Sequence, residues 1–329
     1  MKTLFNLTTC PEDLNRFRDQ ADLIQYMTGF DGLELLPMGE DVTGCIPKER
    51  VWGLHMRCFH NWLDLWNQDW PALLAEFGNR ETYETYYGGS DREALIHRIQ
   101  EDLAWAKYYQ AEYVVFHVAD CTIAETFHGQ YRHTSEEVID GACQLLNQVF
   151  PAEVDPQSAA PWLLLENLWH PGLTFTQPDL TRRLLEGIRY PRTGLLLDTG
   201  HLMHTNPDLR NPAQACAYIH QMLNRHGDLC RRLYGVHLHL SLTGKYAQAI
   251  QANPPSLALD YGNRSGQLFA HIFRQDQHKP FLCDQVADVI RRIQPRYLVY
   301  EFITESRAQQ AAYLRAQRQS LASLYKKTR

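Results

Sequence analysis

Short apolar runs that end on a polar residue recur along the chain. Eight of them are candidate strands: residues 2–8, 30–37, 51–57, 112–118, 161–169, 193–201, 234–241 and 296–302. Most are continuously apolar rather than alternating, as in GLLLD at 194–198. Continuous apolar character is typical of parallel strands that are buried on both faces. The pattern therefore predicts a parallel sheet that is covered by helices.

Helical patterns lie between these runs. The predicted helices cover residues 11–28, 91–110, 135–149, 178–188, 212–227, 282–293 and 304–326, and the link at 38–50 predicts at most a short helix. Strands that alternate with helices in this way predict an α/β fold, a (β/α)₈ TIM barrel, as a single domain over residues 1–329. A doubly wound sheet is the alternative, but the sequence lacks the Gly-rich dinucleotide fingerprint of that fold.

The chain is longer than a bare barrel. A (β/α)₈ barrel needs about 250 residues, and the chain has 329. The surplus falls in two insertions, at about 58–90, which is rich in Trp and Tyr, and at about 242–280. Both follow the C-terminal end of a predicted strand, so we expect both to lie over the catalytic face.

Composition and charge exclude several classes of protein. No apolar run approaches the ~18–20 residues of a membrane span, and the N-terminus carries no signal-peptide pattern, so we expect a cytoplasmic protein with no membrane partner. Eight cysteines without a CxxC pair argue against a disulfide framework and a Cys-type zinc module. The formal net charge of −6 makes nucleic acid an unfavoured partner and a small-molecule substrate the expected one.

Polar side chains at the strand ends indicate the chemistry. In a barrel, the C-terminal ends of the strands converge on one mouth. Nine metal-ligand types stand at or near such ends: His55, His117, Glu166, Asp198, His201, His237, Asp276, His278 and Glu301. Four carboxylates at close range repel one another unless cations neutralise them. Because imidazole and carboxylate bind divalent transition metals, the set predicts a site for two or three such ions.

Each of these residues also has an ordinary explanation, because a single His at a strand end is more often a hydrogen-bonded polar residue than a ligand. The prediction therefore depends on the whole set. Further polar residues are expected to orient ligands, to contact substrate or to be loop residues: Glu34, His60, His170, His204 and His239. Gly200 is expected to let the chain turn between Asp198 and His201.

Taken in order, the nine residues resemble the metal site of the xylose-isomerase-like barrel superfamily, in particular the branch that contains endonuclease IV. That three-zinc site uses His, His, Glu, Asp-x-x-His, His, Asp-x-His and Glu, which this sequence supplies in GLH, VFH, LLLEN, LLLDTGH, GVHL, DQH and VYEF. The resemblance implies that Glu166 bridges two ions. It assigns His55 and His117 to the first ion, Asp198, His237 and Glu301 to the second, and His201, Asp276 and His278 to the third.

The same superfamily supplies the main alternative. Its sugar isomerases and epimerases use one metal on Glu, Asp, His and Glu, here Glu166, Asp198, His237 and Glu301. The five additional donors favour phosphodiester hydrolysis instead, because metal ions roughly 3.5–4 Å apart activate water and stabilise the leaving oxygen. Glu166 and Glu301 are the expected catalytic residues, and zinc is the expected metal, with manganese or iron as alternatives. An endonuclease-like DNA repair enzyme and a non-catalytic binding protein are the remaining hypotheses.

Phrases outside the metal set indicate a substrate. ENLWHPGLTF at 166–175, LDTGHLMHTN at 197–206, HLHLSLTGKY at 237–246 and YLVYEFIT at 297–304 are similar to the cobamide-remodelling phosphodiesterases. The similarity implies hydrolysis of the nucleotide loop of a corrinoid to cobinamide phosphate and an α-riboside, with the cobalt belonging to the substrate. The candidate substrate-binding residues are Arg57, Asn167, Trp169, His239 and Lys245.

Overall fold

Eight parallel strands close into a barrel in chain order, and the last strand pairs with the first. The computed structural model describes residues 1–155 and 157–325. The strands are β1 (Lys2–Thr8), β2 (Gly32–Leu36), β3 (Val51–His55), β4 (Tyr113–His117), β5 (Trp162–Glu166), β6 (Thr193–Asp198), β7 (Leu233–Leu238) and β8 (Tyr297–Tyr300). The predicted (β/α)₈ TIM barrel is confirmed, and only β7 begins outside its predicted run, by one residue.

Sixteen α-helices occur in the described residues, most of them on the outside of the barrel or in the loops above it. They are α1 (Pro11–Leu14), α2 (Gln20–Tyr26), α3 (Leu63–Asn67), α4 (Trp70–Phe77), α5 (Arg80–Tyr87), α6 (Glu93–Tyr109), α7 (Ile123–His128), α8 (Ser135–Val149), α9 (Pro178–Gly187), α10 (Thr199–His204), α11 (Pro212–His226), α12 (Gly244–Ala252), α13 (Tyr261–Gln275), α14 (Val286–Ile293), α15 (Arg307–Ser320) and α16 (Ala322–Tyr325). Two 3₁₀ helices cover Lys48–Arg50 and Gly227–Arg232. The first of them lies in the 38–50 link, where at most a short helix was expected.

Three predicted helices differ from the observed ones, and the one predicted over 282–293 begins only at Val286. The single helix predicted over 11–28 is wrong, because the chain turns after α1 and α2 starts afresh where the Asp19 carboxylate accepts from the amide of Asp22. The predicted C-terminal helix at 304–326 begins only at α15, since Ser306 caps it, and is divided before α16. Its predicted end at residue 326 lies outside the described residues.

The alternation of side chains along each strand explains how the barrel carries donors at its mouth. Successive side chains point to opposite faces of a strand. The inner core is formed by Leu4, Tyr113, Val115, Leu164, Leu196, Tyr297 and Val299. Continuing this period of two brings the next inward positions to His117, Glu166, Asp198 and Glu301. The register between adjacent strands places these donors side by side, because His117 pairs with Glu166 and Asp198 pairs with His237.

The two insertions contact each other. The first carries α3 to α5, and the second carries α12 and α13. Tyr261 at the start of α13 packs on Phe77 and Tyr86 of the first insertion, with ring centroids 4.5 and 5.6 Å apart. His271 of α13 also packs on Phe127 of α7 at 4.6 Å. The second insertion therefore packs against the first and against the segment that follows β4.

A membrane span would need a long apolar helix. Among residues 1–155 and 157–325, no helix is both long and apolar enough to cross a membrane.

Candidate metal centre

All nine predicted donors converge at the C-terminal mouth of the barrel. Among the described residues they form four groups in which one ligand atom per residue lies within 4.8 Å of the others, and one of these, His55, His237 and Glu301, only recombines members of two others. The remaining three are called donor groups 1, 2 and 3. Donor group 1 is His55, His117 and Glu166; donor group 2 is Glu166, Asp198, His237 and Glu301; donor group 3 is His201, His239, Asp276 and His278. The groups match the division that the resemblance implied, with His239 added to the third.

Donor group 1 has the dimensions of one face of a tetrahedral metal site. His55 Nε2, His117 Nε2 and Glu166 Oε2 form a triangle with sides of 3.1, 3.2 and 3.2 Å. Bonds of about 2.0–2.1 Å to a tetrahedral zinc ion give ligand-to-ligand edges of about 3.3–3.4 Å. A metal ion would therefore require shifts of only a few tenths of an ångström.

Backbone carbonyls fix which imidazole nitrogens face the carboxylates. His55 Nδ1 lies 2.9 Å from the Met56 carbonyl, His201 Nδ1 3.0 Å from the Asn167 carbonyl, and His278 Nδ1 3.3 Å from the Glu301 carbonyl. Each carbonyl can only accept, so each Nδ1 carries a proton and Nε2 is directed at a carboxylate. A metal ligand is usually held by this kind of outer hydrogen bond.

Donor group 2 surrounds a carboxylate oxygen that lacks a hydrogen-bond donor. Glu301 Oε2 is buried without a hydrogen bond in the described chain, yet it lies 3.3 Å from His237 Nδ1. On its other side, His237 Nε2 lies 2.8 Å from Glu34 Oε1, although the pair is not aligned as a hydrogen bond. Tyr113 donates to the second oxygen of Glu34 at 2.7 Å. The Glu34 carboxylate thus faces Nε2 of His237, and Nδ1 on the opposite side of the ring faces the carboxylates of Glu166 and Glu301.

Donor group 3 is held by close ring packing. The His239 ring stacks on the His278 ring at 3.8 Å with an angle of 8°. His278 Nε2 and His201 Nε2 lie 2.7 and 3.1 Å from Asp276 Oδ2. A β-carbon on Gly200 would lie 1.9 Å from His239 Cε1, so a glycine is required there. The chain does turn from β6 into α10 between Asp198 and His201, but Gly200 itself is helical, and the close approach of the His239 ring is what requires a glycine.

Glu166 connects the groups through its two oxygens. Oε2 faces His55 and His117 of group 1, while Oε1 lies 3.3 Å from His237 Nδ1 and 3.3 Å from His201 Nδ1. The side chain is fully buried. Glu166 thus presents Oε2 to group 1 and Oε1 to group 2, which is the arrangement that a ligand bridging these two groups needs.

The electrostatics of the mouth call for cations among the carboxylates. Burial opposes ionisation of Glu166, but the imidazoles of His117 and His237 hold its pKa well below the usual value. Burial also opposes charge on His117 and His278, yet Glu166 and Asp276 respectively raise the pKa of each to about 9. Protons on the imidazoles can supply the positive charge that the carboxylates need, and divalent ions would displace these protons on binding. The donor chemistry, the spacing and the unpartnered oxygen of Glu301 together fit metal ions.

Access to the mouth is uneven. The His117 side chain is 25% exposed and that of Glu301 12%, whereas Glu166, Asp198 and His237 are at 0%. The mouth is therefore most open to solvent at His117 and Glu301.

The family follows from the pattern of the whole chain. A profile of the xylose isomerase-like TIM barrel matches residues 27–315. The chain belongs to this family. No curated protein matches the chain.

Solved structures show the same fold. The IOLI protein, solved with a binding zinc atom, matches at 14% identity with a TM-score of 0.53 and covers 99% of this chain and 100% of its own. The protein in the AsfvAP:AG structure matches at 13% identity, with a TM-score of 0.50 and 99% coverage of both chains. Endonuclease IV from Thermus thermophilus gives 15% identity, a TM-score of 0.49, and coverage of 98% and 100%. At these identities the likeness concerns the barrel alone.

Two predicted substrate contacts of this family member have other partners. The Arg57 guanidinium is 2.7 Å from Asp102 and 2.9 Å from Glu101, so two carboxylates occupy the group that was expected to contact phosphate. Asn167 is fully buried, and its amide accepts from the Asp198 N–H and donates to the Asp198 carbonyl. Asn167 therefore positions the end of β6, and the substrate roles of Arg57 and Asn167 stay predictions.

The remaining predicted contacts lie around the mouth. Trp169 is half-buried, with its ring 5.2 Å from that of His201 and 4.6 Å from that of His204. Lys245 is exposed near the start of α12. His239 lies deeper than a substrate contact would, since it is fully buried and its Nε2 is 2.9 Å from Asp198 Oδ2. Sequence reasoning expected His239 to orient ligands or contact substrate and did not assign it to group 3, because that membership depends on its contact with His278, which lies in the loop between α13 and α14.

Proposed function

We propose that this protein is a metal-dependent phosphodiesterase that uses two or three divalent transition ions, with zinc expected. The observation that carries the proposal is the shared carboxylate of Glu166, whose two oxygens face donors of different groups. A single-metal enzyme of this fold needs only donor group 2. The donors of groups 1 and 3 are surplus to that requirement and are directed at the same mouth.

Divalent ions in such a cluster supply an activated water, neutralise phosphate charge and stabilise a leaving oxygen. The chain itself orients the donors. Three backbone carbonyls set the imidazole tautomers, Glu34 supports His237, and Asn167 fixes the end of β6. Of the expected catalytic residues, Glu166 is closed to solvent and suits a bridging role. Glu301 is partly open and can contact the substrate side of the mouth.

The proposed substrate is the nucleotide-loop phosphodiester of a cobamide. The motifs around residues 166–175 and 237–246 support it by resemblance. Trp169 beside the mouth offers an aromatic surface for a broad, flat ligand, and the aromatic contacts between the insertions stabilise the segments above the barrel. The net charge of −6 disfavours a long nucleic acid as substrate.

The decisive experiment incubates the zinc-loaded protein with a cobamide and follows cobinamide phosphate and the α-riboside by mass spectrometry. We expect both products, and we expect Glu166→Gln to lower the rate by at least about 10²–10³-fold, the range for removal of a key electrostatic group. Glu186→Gln, on the exposed surface of α9, is the matched control and should retain the rate. Cleavage of a simple diester without cleavage of cobamide would overturn the substrate, and failure with both would overturn the hydrolase proposal.

One specific observation favours a second candidate. Donor group 2 contains Glu, Asp, His and Glu, which is a complete single-metal set for a sugar isomerase or epimerase of this fold. Metal analysis separates the two proposals. One tightly held ion at the barrel mouth together with ketose interconversion would establish the isomerase, whereas two or three ions at the mouth support the phosphodiesterase.

A further inference from the structure

A fourth cluster of metal-ligand type lies apart from the three donor groups. His60, Cys121 and His170 each offer a ligand atom within 4.8 Å of the other two. His60 Nε2 and Cys121 Sγ are 3.1 Å apart, and the His60 and His170 rings meet edge to face at 5.6 Å. The three residues come from the loops that follow β3, β4 and β5. None of them belongs to the nine donors at the barrel mouth.

The backbone holds the three loops together at this cluster. The Cys121 amide donates to the His60 carbonyl at 3.1 Å, and the Asp120 amide donates to the Pro171 carbonyl at 3.1 Å. An antiparallel bridge joins Ala119 to Gly172. The ligand atoms are therefore positioned by main-chain hydrogen bonds, which is the preorganisation that a metal site requires.

One nitrogen of the cluster has no hydrogen-bond partner. His170 is 2% exposed, and its Nε2 is buried without a partner among residues 1–155 and 157–325. Its Nδ1 faces the Tyr131 hydroxyl at 3.3 Å. By contrast, the Thr126 hydroxyl lies within 2.9 Å of His60 Nε2 and 3.1 Å of Cys121 Sγ. Hydrogen bonding thus accounts for two members of the cluster and leaves the third unexplained.

Burial keeps the imidazoles of the cluster neutral. It lowers the pKa of His60 to about 4 and the pKa of His170 well below its usual value, and neighbouring imidazoles add to both shifts. Burial also raises the pKa of the Cys121 thiol well above its usual value, although the hydrogen bond from Thr126 opposes this shift. A metal ion would bind the two neutral nitrogens directly and displace the thiol proton.

We propose that His60, Cys121 and His170 bind one divalent ion of borderline softness, such as Zn²⁺, at a site separate from the three donor groups. Zn²⁺ binds Cys and His side chains together, and three protein ligands leave a fourth position for water. Bonds of about 2.3 Å to sulfur and about 2.0 Å to nitrogen place the two ligand atoms about 3.5 Å apart, so the His60–Cys121 contact of 3.1 Å opens by about 0.4 Å. The thiol proton passes to solvent as the thiolate–metal bond forms. The ion fastens the first insertion to the loops after β4 and β5.

Cobalt substitution tests this site independently of the others, because the nine predicted donors and His239 contain no sulfur. The full chain is stripped of metal, titrated with Co²⁺, and examined for thiolate-to-cobalt charge-transfer absorption in the near ultraviolet. We expect the band in the wild-type protein and one fewer cobalt per chain, without the band, in Cys121→Ser. Cys143→Ser, a buried cysteine of α8, and Cys58→Ser, the cysteine beside His117, should both retain the band.

A second variant covers the case in which Cys121→Ser fails to fold. His170→Ala keeps the thiol and removes the ligand with the unpartnered nitrogen, so the band should need at least about tenfold more cobalt to develop. Absence of a thiolate band in the wild-type protein would overturn the site. So would a band that persists in Cys121→Ser, or one that His170→Ala leaves at the same midpoint. Loss of phosphodiesterase activity has no bearing on any of these outcomes.

Discussion

Gly200 offers a sharp test of the geometry at the barrel mouth. An added β-carbon would lie 1.9 Å from His239 Cε1, 2.4 Å from Nδ1 and 2.8 Å from Nε2. Ordinary carbon contacts are about 3.5–4.0 Å, so in Gly200→Ala the ring has to move by about 1.5 Å. It cannot do so freely, because it stacks on His278 and its Nε2 contacts Asp198 at 2.9 Å. The substitution therefore displaces a member of donor group 3.

The expected magnitude follows from two opposing effects. Overpacking costs about 1–3 kcal/mol, whereas alanine is favoured over glycine in a helix by about 1 kcal/mol. Gly266→Ala is the matched control, because Gly266 lies in α13 with nothing within 4 Å of its added β-carbon. We expect the control to gain about 0.5–1 kcal/mol in urea unfolding and Gly200→Ala to be less stable than the control by about the overpacking cost.

Metal content gives the second readout. Gly200→Ala should hold fewer ions per chain than the control when both are dialysed against the same zinc buffer and assayed by elemental mass spectrometry. If the two variants have equal stability and equal metal content, the ring is not held as described, and the assignment of His239 to donor group 3 is refuted.

Three further predictions concern other parts of the molecule. Removing metal with a chelator should lower the thermal midpoint, since an ion present at 100 times its dissociation constant contributes about 2.7 kcal/mol; an unchanged midpoint in calorimetry would contradict metal binding. Arg307 holds the pKa of Asp22 below its usual value, so the ion pair stabilises the fold above about pH 4 and loses this effect as the pH falls. Asp22→Asn should therefore unfold more easily in urea at pH 7, and the gap from wild type should narrow toward pH 3; a constant gap would contradict the pairing. Tyr113→Phe removes the hydroxyl bound to Glu34 at 2.7 Å and should cost about 1.5–3 kcal/mol in urea unfolding, while an unchanged stability would show that Glu34 does not depend on it.

The barrel and its donors could be predicted from sequence because both depend on local periodicity. A buried strand such as β6 is visible as an apolar run, and the side chain that ends it at Asp198 must face the mouth. The single helix predicted over 11–28 was wrong because Asp19 caps the start of a second helix. Helical spacing alone does not reveal such a break. The ion pairs of Arg57 were not predicted, because its partners Glu101 and Asp102 lie on a helix more than forty residues further along the chain.

The fourth cluster could not be predicted for a different reason. His60, Cys121 and His170 come from three loops and have no common spacing in the sequence. Only the closure of the barrel brings those loops side by side, and only the hydrogen bonds between them set the distances. Gly200 shows the same limit at a single residue. A glycine is needed there because the His239 ring, just beyond the end of β7, lies against it.

The hydrogen-bonded loops after β3, β4 and β5 have a consequence for protein engineering. Gly172 has a φ of +129°, and a β-carbon there would lie 2.2 Å from the Val118 carbonyl oxygen, so each loop is shaped to its neighbour. A single loop grafted into another barrel would arrive without the main-chain partners that define its conformation. The unit of exchange is therefore all three loops together, moved as one cassette onto the strand ends that support them.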